Sequence, residues 1–216
     1  MTPSLRERRR RQTKLEIHDA ALRSARERGF DNVTVEEISS AAGVSPRTFF
    51  NYFPNKESAI VYVPLDMSAD LASDFIAAGP APNPVVLAEL IGLTATQFER
   101  NPPHRTDMAD MLAIAHSSAA VTSAALTQFE TLHQGLASVV AQRINVAPDD
   151  EVPVLIAALA IATVRAGLER WATQPVDGND DSPAPYIQRA AALLQTFFTS
   201  DPEPAAAVRT RADRRG

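Results

Sequence analysis

At 216 residues, with 45% hydrophobic and 22% charged residues, the chain can bury a sizeable core, which excludes a disordered polymer. It has no cysteine, which excludes disulfides and thiolate metal sites and fits a reducing cytosol. The net charge of −5 is uneven: residues 1–56 hold 11 Lys+Arg against 7 Asp+Glu, and residues 57–202 hold 6 against 17, so a polyanion would meet only the N-terminal piece.

Helical signals dominate in chain order. Residues 1–12, with Arg8 to Arg11 consecutive, read as a flexible basic arm. No apolar segment follows them, so they do not form a secretory signal. Thr13 is placed to cap a helix ending at Arg28, with Glu16 at the capping-box position. Gly29 closes that helix and Phe30 packs back on it. Ile17, Ala20, Ala21, Ser24 and Ala25 form its inner stripe. Thr34 caps a second helix, Glu37 completes a capping box, and Gly43 ends it; Val35, Ile38 and Ala42 face inward. Ser45 caps a third helix with Pro46 at its first position, and Pro54 ends it. Asn55 caps a fourth that begins with Lys56 and Glu57.

The second and third helices are joined by Ala-Gly-Val-Ser, residues 42–45, which is a helix-turn-helix signature. On the third helix Phe49 and Phe53 share a face with Val44 and Ile38 in reach, so they read as core. The opposite face carries Arg47, Phe50 and Asn51, flanked by Ser45, Thr48 and Tyr52. A major-groove reader needs such a set: Arg grips guanine, Asn grips adenine and Phe contacts a thymine methyl. The Thr48 and Tyr52 hydroxyls and the Lys56 ammonium suit phosphates. Two alternatives stand beside this reading: a structural subdomain with a wet polar face, and a module that binds protein through the same face. Changing Arg47 to Ala separates DNA binding from the protein-binding alternative.

Further on, Pro64 interrupts the fourth helix, which restarts near residue 65. Residues 79–84 are a linker. A fifth helix spans 84–100, and others follow at about 104–115, 118–145, 150–173 and 183–199. Residues 177–185 are a loop and 201–216 a disordered tail. The longest apolar runs, such as 152–164, fall short of a membrane span, so no membrane partner is expected.

The stretch TVEEISSAAGVSPRTFFNYFPNKESAI, residues 34–60, with IHDAALRSARERGFDNVTV before it, resembles the DNA-binding region of the TetR (tetracycline-repressor) family. The resemblance covers about residues 13–60. It implies an all-α protein: a three-helix DNA-binding domain at 13–57, then a larger helical domain at 58–200 for ligand binding and dimerisation. It implies a cytoplasmic regulator, usually a repressor, that binds a palindromic operator in double-stranded DNA. It implies DNA contacts from Thr34, Ser45, Pro46, Arg47, Thr48, Phe50, Asn51, Tyr52 and Lys56. The family usually has bulky residues where this chain has Ser24-Ala25, and Phe49 and Phe53 are placed to fill that space. The RTFFNYFP variant is similar to a subgroup some of whose members answer to acyl-CoA-type ligands, so the expected small-molecule effector is hydrophobic or acyl-CoA-like.

Two apolar segments read as homodimer surface within that scheme, since reading a palindrome needs recognition helices roughly 34 Å apart. One is 154–168, with Leu155, Ala158 and Ala162. The other is 186–198, with a stripe of Ile187, Ala191, Leu194 and Phe198. The alternative is ordinary monomer core. The effector pocket is expected among the fifth to eighth helices, lined by Phe98, Met108, Met111, Leu112, Phe129, Leu132 and Trp171, with Met adaptable to ligand shape. Arg165 is placed to pair with Glu169 or with an anionic ligand. An enzyme is the rival class. The four histidines have no i,i+4 pair, and no HExxH, GxSxG or glycine-rich phosphate loop occurs, so neither catalysis nor a cofactor is expected.

Overall fold

The computed structural model describes residues 5–62, 67, 69–100, 102–174 and 182–199. Among these, the regular elements are ten α-helices and a single 3-10 turn. The helices are α1 (Leu5–Arg28), α2 (Val35–Ala41), α3 (Pro46–Phe50), α4 (Lys56–Ile60), α5 (Ala69–Ala77), α6 (Asn83–Arg100), α7 (Arg105–Ser117), α8 (Ala119–Ile144), α9 (Glu151–Thr173) and α10 (Ala184–Thr199). The all-α expectation holds. The expected break at Pro64, most of the 177–185 loop and the 201–216 tail lie outside the described residues.

The start of α1 corrects the sequence reading. Residues 5–12 form the first two turns of a 24-residue helix and not a flexible arm. Arg and Gln are good helix formers, and nothing between Leu5 and Arg28 breaks the run. Thr13 therefore lies inside the helix instead of capping it. Glu16 accepts from Gln12 Nε2 at 3.0 Å, an i,i+4 pair, where a capping box was expected.

The remaining N-terminal signals work locally. Gly29, at φ 80, donates its N–H to the Ala25 carbonyl and turns the chain out of α1. Thr34 and Glu37 form the reciprocal capping box, Ser45 Oγ accepts from the Thr48 N–H, and Asn55 Oδ1 accepts from the Ser58 N–H. Gly43, at φ 67, makes the tight turn between α2 and α3. Helix α3 stops at Phe50, sooner than expected, and 51–52 finish as a turn.

Inside this unit Phe49 is fully buried at 6.0 Å from the Phe53 ring, and Phe53 meets Tyr62 edge-on at 5.6 Å. Ile17, Ala20, Ala21, Leu22 and Ile38 complete the centre, with Ser24 and Ala25 also buried. This core is not closed on itself. Val121 of α8 is buried in it, and Met111 of α7 packs on both this cluster and the second one.

The second core is built along α9, which lies against α6, α7, α8 and α10. Helix α9 is long and apolar enough to cross a membrane, but Ile156, Ala157, Ala160, Val164, Leu168 and Trp171 are buried within the protein. It is the spine of the body. A Cβ at Gly167 would lie 2.6 Å from the Ile187 Cα, so only glycine permits this approach of α10. Arg143, buried in α8, donates to the Gly79 and Phe75 carbonyls and pairs with Glu89, which ties α8 to the α5–α6 junction.

Candidate functional site

Residue by residue, the α3 face follows the expected division. Phe49 points inward. Ser45, Pro46, Arg47, Phe50 and Asn51 are exposed, and Thr48 and Tyr52 are half-buried. Phe50 is 56% exposed although its ring leans edge-on against Phe49 at 5.5 Å. The Phe49 contact holds the Phe50 ring on the solvent side of α3. The Ser45 and Thr48 hydroxyls lie 2.8 Å apart, which fixes the first turn of α3.

Thr34 is exposed at the start of α2. Its N–H and hydroxyl donate to Glu37 at 2.9 and 3.1 Å and hold that carboxyl below the usual carboxylate range; the Arg28 guanidinium adds to the effect. Lys56 departs from expectation. Its ammonium donates to the Phe30 and Val33 carbonyls at 3.0 and 2.9 Å and sits 4.5 Å from the Phe30 ring. Two of its three N–H groups are thus spent inside the fold, where they pin α4 to the turn before α2. The sequence could not reveal this, because a lysine stem reaches in many directions.

Behind this unit lies a cavity of about 870 Å³, lined mainly by apolar side chains of α7, α8 and α9. Six of the expected residues line it: Met108, Met111, Leu112, Phe129, Leu132 and Arg165. Two do not. Phe98 of α6 and Trp171 near the end of α9 are buried in the body core instead. Sequence reading missed Leu136, Val139, Val164 and Leu168 in the lining, since an aliphatic that walls a cavity reads the same in sequence as one that fills a core. It also missed Lys14, which reaches the cavity from α1 with its ammonium 4.9 Å from the Tyr62 ring. Arg165 pairs with Glu169 at 3.4 Å, and both line the cavity.

The cavity wall and α1 are joined by an ion-pair fork. Arg26 of α1 bonds Asp107 at 2.7 Å and also Asp110, one α7 turn apart, which raises its guanidinium pKa. His18 of α1 lies 2.7 Å from the Ala59 carbonyl, and burial pushes its imidazole pKa down, so the neutral ring donates from Nδ1.

The outer face of α9 and α10 only partly matches the expected dimer surface. Leu155, Ala158 and Ala162 are exposed, as is Phe198 at 65%. Ile187 is fully buried against Gly167, and Ala191 and Leu194 are half-buried on the body core. The stripe was therefore misphased. Beside Phe198, the outward large apolar residues of α10 are Leu193 and Phe197, 59% and 71% exposed.

The profile described as bacterial regulatory proteins, tetR family, matches residues 17–60, and that of the MftR C-terminal domain matches 88–199. The HTH-type transcriptional regulator TcmR of Streptomyces glaucescens is 42% identical over 55 residues, 26% of this chain. The match spans 24% of that protein's length. Among solved structures, FadR of Thermus thermophilus, a TetR-family transcriptional repressor in complex with lauroyl-CoA, is 26% identical at a TM-score of 0.50, covering 89% of this chain and 98% of its own. A chain from Syntrophomonas wolfei assigned to the same family is 17% identical at a TM-score of 0.53, covering 88% of this chain and 96% of its own, a likeness of fold alone.

Proposed function

The chain belongs to the tetR family of bacterial regulatory proteins, and from that premise we propose that it is a cytoplasmic repressor that binds a palindromic operator as a homodimer and is released by a small hydrophobic effector. One observation carries the reading: a rigidly capped α3 that presents Arg47, Phe50 and Asn51 to solvent while Phe49 anchors it from behind. Ser45, Pro46, Thr48, Tyr52 and Thr34 surround that face and serve phosphates and base edges.

Dimerisation is supported by the exposed apolar face of Leu155, Leu193, Phe197 and Phe198, with Ala158 and Ala162 small enough for close helix approach. Phe197→Glu is expected to give a monomer in light scattering; a variant that stays dimeric rejects this face.

The effector site is the cavity. Its Met and Leu lining suits an acyl chain, and the crystallised FadR relative carries lauroyl-CoA. Effector seated against Met111 displaces α7, and the Arg26 fork passes that movement to α1 and the spacing of the recognition helices. Release then equals the effector's differential affinity for the two forms, about 1–3 kcal/mol. Lauroyl-CoA is the probe: it is expected to weaken operator binding in wild type and much less in Arg26→Ala. No effect on wild type removes it as effector.

The central test is selection of duplexes from a random pool, expected to return a palindrome with half-sites about one helical turn apart. Arg47→Ala should then lose about 1–3 kcal/mol of operator binding. Unchanged affinity would falsify the assignment of this face to DNA.

A further inference from the structure

Helices α1 and α3 enclose a second cleft, of about 640 Å³, at the edge of the recognition face. Arg6, Arg9 and Arg10 line one wall, and Thr48, Asn51 and Tyr52 line the other. The wall exists because residues 5–12 are helical. At 100° per residue, positions 6, 9, 10 and 13 fall within about 100° of one another, whereas position 11 points roughly the opposite way. The three guanidiniums are exposed, and among the described residues no carboxylate lines the cleft with them. Like charges at i,i+3 and i,i+4 on one face weaken a helix, a cost that a bound polyanion relieves.

We propose that this cleft seats one sugar-phosphate strand of the duplex, just outside the half-site read by α3. Arg6, Arg9 and Arg10 grip successive phosphates from the α1 side, and the Thr48 and Tyr52 hydroxyls close on the strand from the α3 side. Asn51, on the shared lip, stands where the strand gives way to base edges. The N-terminal extension is thus a fixed wall of the DNA site with a definite face. The proposal rests on the DNA-binding reading of α3 and lengthens its footprint.

The test compares four full-length proteins on one selected duplex over a salt series, with circular dichroism to verify their fold. They are wild type, Arg6→Ala/Arg9→Ala/Arg10→Ala, Arg11→Ala and Gln12→Pro. Each phosphate contact contributes about 0.9 to the slope of log K against log salt. The triple variant is expected to lose about 2–3 of slope per half-site and to shorten the footprint at its flank. Arg11→Ala should match wild type, because its side chain leaves from the other face. Gln12→Pro keeps every charge but kinks the wall away from α3, and should lose as much as the triple variant. An unchanged slope in the triple variant, or an equal per-residue loss in Arg11→Ala, overturns the cleft and leaves α3 as the DNA reader. A wild-type slope in Gln12→Pro overturns the fixed wall. Failure of wild type to select any duplex overturns the α3 reading itself.

Discussion

The N-terminal unit and the C-terminal body are both helical, but they are specified differently. The first is written in short local signals. Thr34, Ser45 and Asn55 each cap a helix of only five to seven residues, and Gly29 and Gly43 end the helices before them. The body has long helices, 26 residues in α8 and 23 in α9, whose stability comes from burial along a shared axis. Capping fixes where a helix begins and ends. Burial fixes which way its side chains point, and it depends on partners far along the chain. The first unit accordingly presents a rigid chemical face, whereas the body encloses an adaptable space.

Phe49→Ala tests whether the two cores are separable. Emptying that buried site should cost about 3–5 kcal/mol. Hydrogen exchange should then show residues 17–60 losing protection while α9 keeps it. Equal loss in α9 would mean that Met111 and Val121 fuse the cores into one cooperative unit. Gly167→Ala strikes the other half. A methyl forced against the Ile187 backbone should cost about 1–3 kcal/mol, seen as a lowered Tm with little change in operator contacts.

Caps give a smaller effect. Thr34→Ala and Ser45→Ala should each cost about 1 kcal/mol in urea unfolding. No loss in either would show that packing, and not capping, defines α2 and α3.

The smallest effect is a pH dependence through His18. Burial holds its folded pKa below the ordinary 6.5, so the unfolded chain takes up a proton before the folded one does. Stability from this group is full above about pH 6.5, falls as pH drops through that value, and levels off below the folded pKa. His18→Gln should flatten the slope of unfolding free energy between pH 7 and 5. A slope identical to wild type would show that other groups set it.

What the sequence disclosed follows the same division. Thr34, Ser45, Asn55, Gly29 and Gly43 were legible because each acts within four residues of itself. Phe49 and Phe50 were separable by helical phase alone. Ile187 was not. Its neighbour α9 is apolar nearly all round, so nothing in the sequence says which side α10 covers, and Gly167 settles it only in three dimensions. Phe98 and Trp171 failed as cavity residues for the same reason. Lys56 was misplaced because its long stem lets the ammonium turn inward. Residues 5–12 were misread because a run of arginine suggests a solvated arm, while its helix propensity is high.

Trp171 is the chain's one tryptophan, and it lies in the body. Its indole is fully buried, its N–H has no acceptor among the described residues, and the Arg105 guanidinium at the head of α7 stacks 5.0 Å from the ring. The protein therefore carries an optical probe in only one of its two halves, with blue-shifted emission expected from a dry indole. A cation on the ring tunes that emission through its field, so a shift of α7 changes the colour or quantum yield even when no other residue near the indole moves. Fluorescence at a single wavelength can thus follow the cavity wall in real time, and a DNA duplex bound to α3 is dark to it unless the two halves communicate.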